Sequence, residues 1–195
     1  MMSAVDAADQ IIRTVEARRG ALPYVVALDG FSGAGKSTIA RAVANRLDAA
    51  TVHGDDFYRD LSRTDRLALC PEDGVDRYFD WPRLRREALE PLRHGTEARF
   101  RAFDWDAGHG LAAERRIPAR AVIVLDGVYS ARPTLSGLVD LTVYVDAPEP
   151  VRRERRRARQ DPPEWEAGWD AAEHVYFSRI RPPHSFDLVV SGGTP

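Results

Sequence analysis

Apolar residues follow two rhythms along this chain. Short unbroken runs stand at 24-YVVAL-28, 121-AVIVL-125, 141-LTVYV-145 and 186-FDLVV-190, with a shorter one at 50-ATVH-53. Runs of that length fit strands buried on both faces. Between them the apolar positions spread to a helical period. Residues 3–19 carry Ala4, Ala8, Ile11, Ile12 and Val15 on one side, and Gly20 and Pro23 stop that helix. Residues 37–47 carry Ile39, Ala40, Val43 and Leu47, and helical patterns recur at 82–93, 148–160 and 164–179. In the last of these Trp165, Trp169, Ala172, Tyr176 and Ile180 repeat at helical spacing and read as a core stripe. Strands alternating with helices predict an α/β fold, a parallel sheet of about five strands sandwiched by helices. Residues 98–118 are less regular and predict an edge strand, 98-ARFRAF-103, and a loop.

Composition narrows the class. The 195 residues are 44% hydrophobic and 30% charged, the balance of a single folded domain over 1–195. A formal net charge of −2 supplies no global field for nucleic acid or an anionic membrane. One cysteine, Cys70, excludes an internal disulfide and a cysteine-held zinc, and the five histidines lack metal-ligand spacing. No apolar run approaches the ~20 residues that span a bilayer. The opening MMSAVDAADQ has no basic stretch leading into an apolar one, so a cytoplasmic location is expected.

The first strand runs into 27-ALDGFSGAGKST-38. Gly30, four residues, Gly35, Lys36 and Ser37 complete the phosphate-loop pattern G-x-x-x-x-G-K-[ST], with a strand before it and a helix after it. A polyphosphate must approach the backbone closely, so side chains are kept away. The residues of the cradle are Gly30, Ser32, Gly33, Ala34, Gly35, Lys36, Ser37 and Thr38, with the positive end of the helix behind the anion. Lys36 is placed to reach the terminal phosphates and the Ser37 hydroxyl to sit on Mg²⁺. The pattern predicts a bound nucleoside triphosphate with Mg²⁺, read as ATP although no base-reading motif sets it apart from GTP. Alone it leaves open whether the phosphate passes to water, to a small molecule or nowhere.

Two acids and two aromatics follow the second strand at once, in 51-TVHGDDFYRD-60. Ligands of parallel sheets lie at the carboxyl ends of strands, which puts Asp55, Asp56, Phe57 and Tyr58 beside the loop. An acid there can take a proton from a hydroxyl or hold a metal-bound water. The alternative is a solvated acidic turn with Phe57 in the core. Asp126 ends the 121–125 run and can orient Mg²⁺, or it simply starts a turn before Gly127. Asp29, directly before the loop, reads as a brace for it. The stretch 151-VRRERRRAR-159 holds six arginines, and Arg152, Arg155, Arg156 and Arg159 share one helical face. Such a face can gather round a transferring phosphoryl group. A solvated helix or a nucleic-acid contact are the other readings, and the near-neutral charge weighs against the second.

Taken in order, these stretches resemble the uridine kinase family, a branch of the phosphate-loop kinases with phosphoribulokinase-like and pantothenate kinase-like members. Beside Gly30–Ser37 and Asp55-Asp56-Phe57-Tyr58-Arg59, the resemblance rests on 79-FDWP-82, 103-FDWDAGH-109 and 122-VIVLDGVYS-130, and covers about residues 23 to 190. It implies a phosphate-loop NTPase fold with an acceptor-site insertion at about 55–118 and an arginine-rich lid at about 150–163. It implies that Asp55 takes the proton from the attacking hydroxyl. Lys36 and the lid arginines, Arg156 and Arg159 among them, would act on the transferring phosphate. Tyr58 would line a base pocket, Asp80 bind ribose hydroxyls, and Phe103 and His109 contact the base. Ser37 and Asp126 would hold the metal. Trp81 and Trp105 stand where the family has His and Phe, Asp126 where it has Glu, and His109 is one residue further from Phe103. These departures fall mostly in the acceptor pocket.

The implied reaction is Mg²⁺-dependent phosphoryl transfer from ATP to a small-molecule hydroxyl, a nucleoside 5′-OH first. A vitamin precursor or sugar as acceptor, or an ATPase or switch without one, are the alternatives. The expected partner is the small-molecule acceptor, with no nucleic acid and no membrane; a homo-oligomer is left open.

Overall fold

The computed structural model describes residues 3–18, 20–159 and 163–193, without the side chains of 163–166. Helix α1 (Ala4–Arg18) starts at a reciprocal cap: Ser3 Oγ accepts the Asp6 N–H at 3.2 Å while the Ser3 N–H donates to Asp6 at 2.7 Å. Strand β1 (Tyr24–Asp29) leads through the glycine loop to α2 (Lys36–Leu47) and β2 (Ala50–His53). A short turn, Gly54–Phe57, is followed by α3 (Arg63–Leu67), α4 (Pro71–Arg77) and α5 (Trp81–Leu84). The last continues through a π turn, Arg85–Leu89, into α6 (Glu90–Arg93). A hairpin of β3 (Ala98–Phe103) and β4 (Leu111–Ile117) precedes β5 (Val122–Asp126) and β6 (Leu141–Asp146). Then come α7 (Glu149–Ala158), α8 (Pro163–Val175) with a π turn over Tyr176–Ile180, and β7 (Leu188–Ser191).

All five strands of the main sheet are parallel, in the order β2-β5-β1-β6-β7. This is the parallel α/β sheet that the alternation predicts, in the phosphate-loop NTPase fold that the resemblance implies. The register sets Asp126 level with Leu28 on one side and His53 on the other. The carboxyl ends of β1, β2 and β5 therefore bring Asp29, His53 and Asp126 together beside the glycine loop. Alternation within the buried strands splits the core in two. Val26, Leu28, Val124 and Val143 face α1 and α2, meeting Ile11, Val15, Ile39 and Val43. Val25, Ala27, Ile123 and Leu125 face the other way, into a cluster holding Phe57, Phe79, Phe103, Tyr129 and Tyr176.

Several local expectations need correction. Residues 98–103 do not edge the main sheet; they pair antiparallel with 111–117, which the sequence reads as loop. β4 is mostly exposed, so it carries no apolar rhythm, and backbone pairing with β3 holds it instead. The last strand begins at Leu188, not at 186, because Phe186 turns aside to pack on Tyr144 at 5.3 Å. In the expected core stripe Ala172 and Tyr176 are buried, but Ile180 is 41% exposed at the end of its π turn. Trp165, Arg19 and residues 160–162 of the expected lid lie outside the described residues and side chains. Among the described residues no helix is long and apolar enough to cross a membrane.

Candidate active site

The glycine loop is held open by its torsions and by close packing. Gly30 (φ 143°) and Gly33 (φ 79°) adopt backbone geometry that side chains disfavour. A Cβ on Gly30 would overlap the Val145 carbonyl oxygen, and one on Gly33 would lie 2.5 Å from that of Arg152. Gly35 starts α2 with no side-chain cap, so the first-turn N–H groups are left for an anion. Asp29, wholly buried, braces the loop as its position predicts. It accepts from the backbone N–H of Gly30 (2.8 Å), Tyr129 (2.8 Å) and Ala131 (3.0 Å) and from the Tyr176 hydroxyl (3.0 Å). Burial raises its pKa, while these hydrogen bonds and Lys36 pull it down. Lys36 folds back over the loop and donates to the carbonyls of Gly30 (2.8 Å) and Phe31 (3.0 Å). Ser37 and Thr38 are exposed on the first turn of α2.

The arginine helix packs on this loop. Arg155 Nη1 donates to the carbonyls of Gly33, Ala34 and Gly192, each at 3.2 Å. Arg156 reaches the Ser32 carbonyl and Asp170, both at 3.4 Å, and the Arg152 guanidinium lies 4.2 Å above the Phe31 ring. Three of the four arginines on the predicted face thus hold loop backbone or ring. Arg159 is exposed at the C-terminal cap of α7.

Across the loop stand the acids. Asp126 is buried; its Oδ2 lies 3.4 Å from His53 Nδ1, and its Oδ1 has no hydrogen-bond partner. Among the described residues no three His, Cys, Asp or Glu side chains gather as a metal-holding group. One orphaned carboxylate oxygen with an exposed Ser37 hydroxyl fits Mg²⁺, which keeps several waters and needs few protein ligands. Asp55 is exposed in the turn after β2, and its carboxylate makes no hydrogen bond among the described residues. Protein crowds the carboxyl from behind. That desolvation raises its pKa first and the charge of Asp126 second, while Lys36 and His53 oppose them. Asp56, its neighbour, is buried and held by Arg115 at 2.7 Å, a structural pairing.

Aromatic rings cluster beside the acidic turn. Tyr58 is buried between Trp105 (5.0 Å), Phe103 (5.5 Å) and Trp169 (5.8 Å), and Phe103 meets Trp105 at 4.9 Å. Trp105 is 48% exposed, and its Nε1–H donates to the Asp55 carbonyl at 3.2 Å, tying the hairpin to the acidic turn. Asp80 comes alongside because its N–H donates to the Phe57 carbonyl at 2.8 Å. One Asp80 oxygen caps α5 by accepting the Arg83 N–H at 3.1 Å. His109, in contrast, is exposed in the turn between β3 and β4 and makes no hydrogen bond, ion pair or ring contact among the described residues. The extra residue between it and Phe103 lies in that turn. Two site residues escape the sequence reading, Trp169 and Glu173, both hydrogen-bonded to Ser32 of the loop. Their signal is in the period: 169, 172, 173 and 176 occupy one helical face, and an acid on such a stripe stands out.

A strand–glycine loop–helix unit in a five-stranded parallel sheet, with an acid and an aromatic wall across from it, defines a phosphate-loop kinase domain. The family described as AAA domain matches residues 25–176. A uridine kinase of Deinococcus deserti is 30% identical over 167 residues, covering 83% of this chain and 80% of the relative. One of Clostridium perfringens is 25% identical over 172 residues, covering 84% and 80%. The chain belongs to the uridine kinase-like phosphate-loop kinases. Two solved structures share the fold. A possible uridine kinase from Bacillus stearothermophilus gives a TM-score of 0.74 at 21% identity, over 94% of this chain and 97% of its own. A candidate fructose transport system kinase from Silicibacter sp. TM1040 gives 0.64 at 22%, over 97% and 100%.

Proposed function

We propose that this kinase transfers the γ-phosphoryl group of ATP to the hydroxyl of a small molecule, a nucleoside 5′-OH first, with Asp55 as the proton acceptor. The observation that carries the reading is the unbonded Asp55 carboxylate between the phosphate loop and the aromatic wall. The N–H groups of the loop and α2 hold the phosphates, and Lys36 leaves the Gly30 and Phe31 carbonyls to reach them. Ser37 and Asp126 would hold Mg²⁺, which supplies charge neutralisation on the phosphates. Arg159, exposed at the end of α7, is the arginine we assign to the transferring group, with Arg152, Arg155 and Arg156 as braces of the loop. The half-exposed Trp105 ring, backed by buried Phe103 and Tyr58, offers an apolar face suited to a nucleobase, and the Asp80 oxygen that does not cap α5, 3.8 Å from Arg83 Nε, suits a ribose hydroxyl. Catalysis is then positioning and charge stabilisation.

A second acceptor class, a sugar or vitamin precursor, is favoured by one observation: His109 stands outside the aromatic cluster. ADP release from Mg²⁺-ATP against a panel of nucleosides, sugars and vitamin precursors separates the two. Turnover that depends on one acceptor class and is lost in Asp55→Asn supports the reading. Slow ADP release indifferent to every acceptor and to Asp55 points to an ATPase or switch.

A further inference from the structure

Two side chains of α8 with no part in that chemistry meet on the phosphate loop. Glu173 is wholly buried. Its two oxygens accept the Ser32 N–H at 3.0 and 3.1 Å, and its Oε1 also accepts from Ser32 Oγ. Trp169, one turn earlier on the same face, donates its Nε1–H to the same Ser32 Oγ at 2.9 Å. A hydroxyl has one proton to give. Here it goes to Glu173, and the oxygen accepts from Trp169, so the hydroxyl is fixed from both sides. The Trp169 ring then packs on Tyr78 (4.6 Å), Phe79 (5.7 Å) and Tyr58 (5.8 Å). Ser32 is therefore the joint between the loop and the aromatic wall.

A buried carboxylate is costly to keep unless it is bonded and opposed by positive charge. Burial pushes the Glu173 carboxyl up, while Lys36 and the Ser32 hydrogen bonds oppose that rise. An apolar residue would fill this place on the stripe at no such cost, so the acid is there for what it holds.

We propose that Glu173 is a positioning residue for phosphoryl transfer: through Ser32 it fixes the outer turn of the phosphate loop and the Trp169 indole together, so that phosphate site and acceptor wall keep one mutual geometry. The inference rests on the kinase reading above and adds the residue that sets one substrate against the other. In-line transfer is steeply sensitive to such spacing: a misplacement of about 1 Å costs about 100-fold. Nucleotide binding, which uses the first-turn N–H groups of α2 rather than that of Ser32, is less sensitive.

Glu173→Gln keeps the size of the side chain and one accepting oxygen, but it removes the charge and sets an N–H₂ against the Ser32 N–H where the second oxygen accepts. Its kcat falls at least about tenfold while the Kd for a fluorescent ATP analogue changes less than about threefold. Ser32→Ala leaves the backbone N–H and removes the shared hydroxyl, and it gives the second test should Glu173→Gln fail to fold. Because both act through one joint, the double variant loses no more kcat than the worse single one. An arm independent of the acceptor follows indole emission during a Mg²⁺-ATP titration. The wild type responds, Trp169→Phe loses most of the response, and Glu173→Gln and Ser32→Ala change it. Wild-type kcat and emission in Glu173→Gln, or losses that multiply in the double variant, overturn the proposal. If the wild type binds nucleotide without any acceptor turnover, the kinase reading fails, and the emission arm alone decides whether the joint exists.

Discussion

Asp29, the last residue of β1, holds the loop and the turn after β5 together. Four donors converge on it, three of them backbone N–H groups. Asp29→Ala leaves those donors buried and unpaired, so chemical denaturation registers a loss of about 3 kcal/mol or more. The change also slackens the turn after β5, where Tyr129 and Ala131 are held. Asp55 is the opposite case, a carboxylate without hydrogen-bond partners. It must be ionised to take a proton, and its pKa is raised. Activity therefore falls as pH drops through that raised value, with the acid limb of kcat/KM above the ordinary aspartate value of about 3.9. Asp55→Asn removes the limb along with about 100-fold or more of the rate. Lys36 and the glycines are legible in the sequence because loop, strand and helix are neighbours along the chain. Asp55 is placed beside the loop by its position after the second strand, whereas roles for Asp80 and Phe103 come only through their ordered resemblance to a family. Glu173 and Trp169 lie more than 130 positions from Ser32, and no local pattern joins them to it.

Among the elements, α7 departs most from its expected role. Its arginine face predicts a group of cations round the transferring phosphate. In the structure that face lies against the loop, and Arg155 spends its donors on the carbonyls of Gly33, Ala34 and Gly192. The periodicity fixes which arginines share a face but not what that face meets. Two substitutions separate the roles. Arg155→Ala weakens nucleotide binding about tenfold and lowers thermal stability, because loop carbonyls lose their donor. Arg159→Ala leaves nucleotide affinity within about threefold and lowers kcat instead. Isothermal titration beside steady-state rates reads both. The β3–β4 hairpin is the other element at odds with its sequence pattern. Its outer strand is stabilised by backbone pairing and by Arg101, whose guanidinium donates to the Leu111 and Ala112 carbonyls at 2.6 and 2.7 Å, contacts that leave no apolar period to read.

At the scale of the whole molecule the sheet was the most legible feature. Its strands are buried on both faces, so their sequences are unbroken apolar runs. The short helices α3 and α4 were not, since each is too brief for a period and each is set by a cap, Ser62 on Asp65 and Cys70 on Asp73. The loop, α7 and α8 are linked through Ser32, Arg155 and Arg156, so a filled phosphate site stabilises the whole fold. Mg²⁺-ATP at about 100 times its Kd adds about 2.7 kcal/mol and raises the melting temperature by about 5–10 °C. Lys36→Ala abolishes most of that rise.

The measurement that decides the central claim is to follow a radiolabelled γ-phosphate from ATP in the presence of Mg²⁺ and uridine or cytidine, with wild type and Asp55→Asn side by side. The account predicts label in the nucleoside monophosphate with the wild type and almost none with the variant. Label appearing only as inorganic phosphate, at equal rates in both, would contradict it.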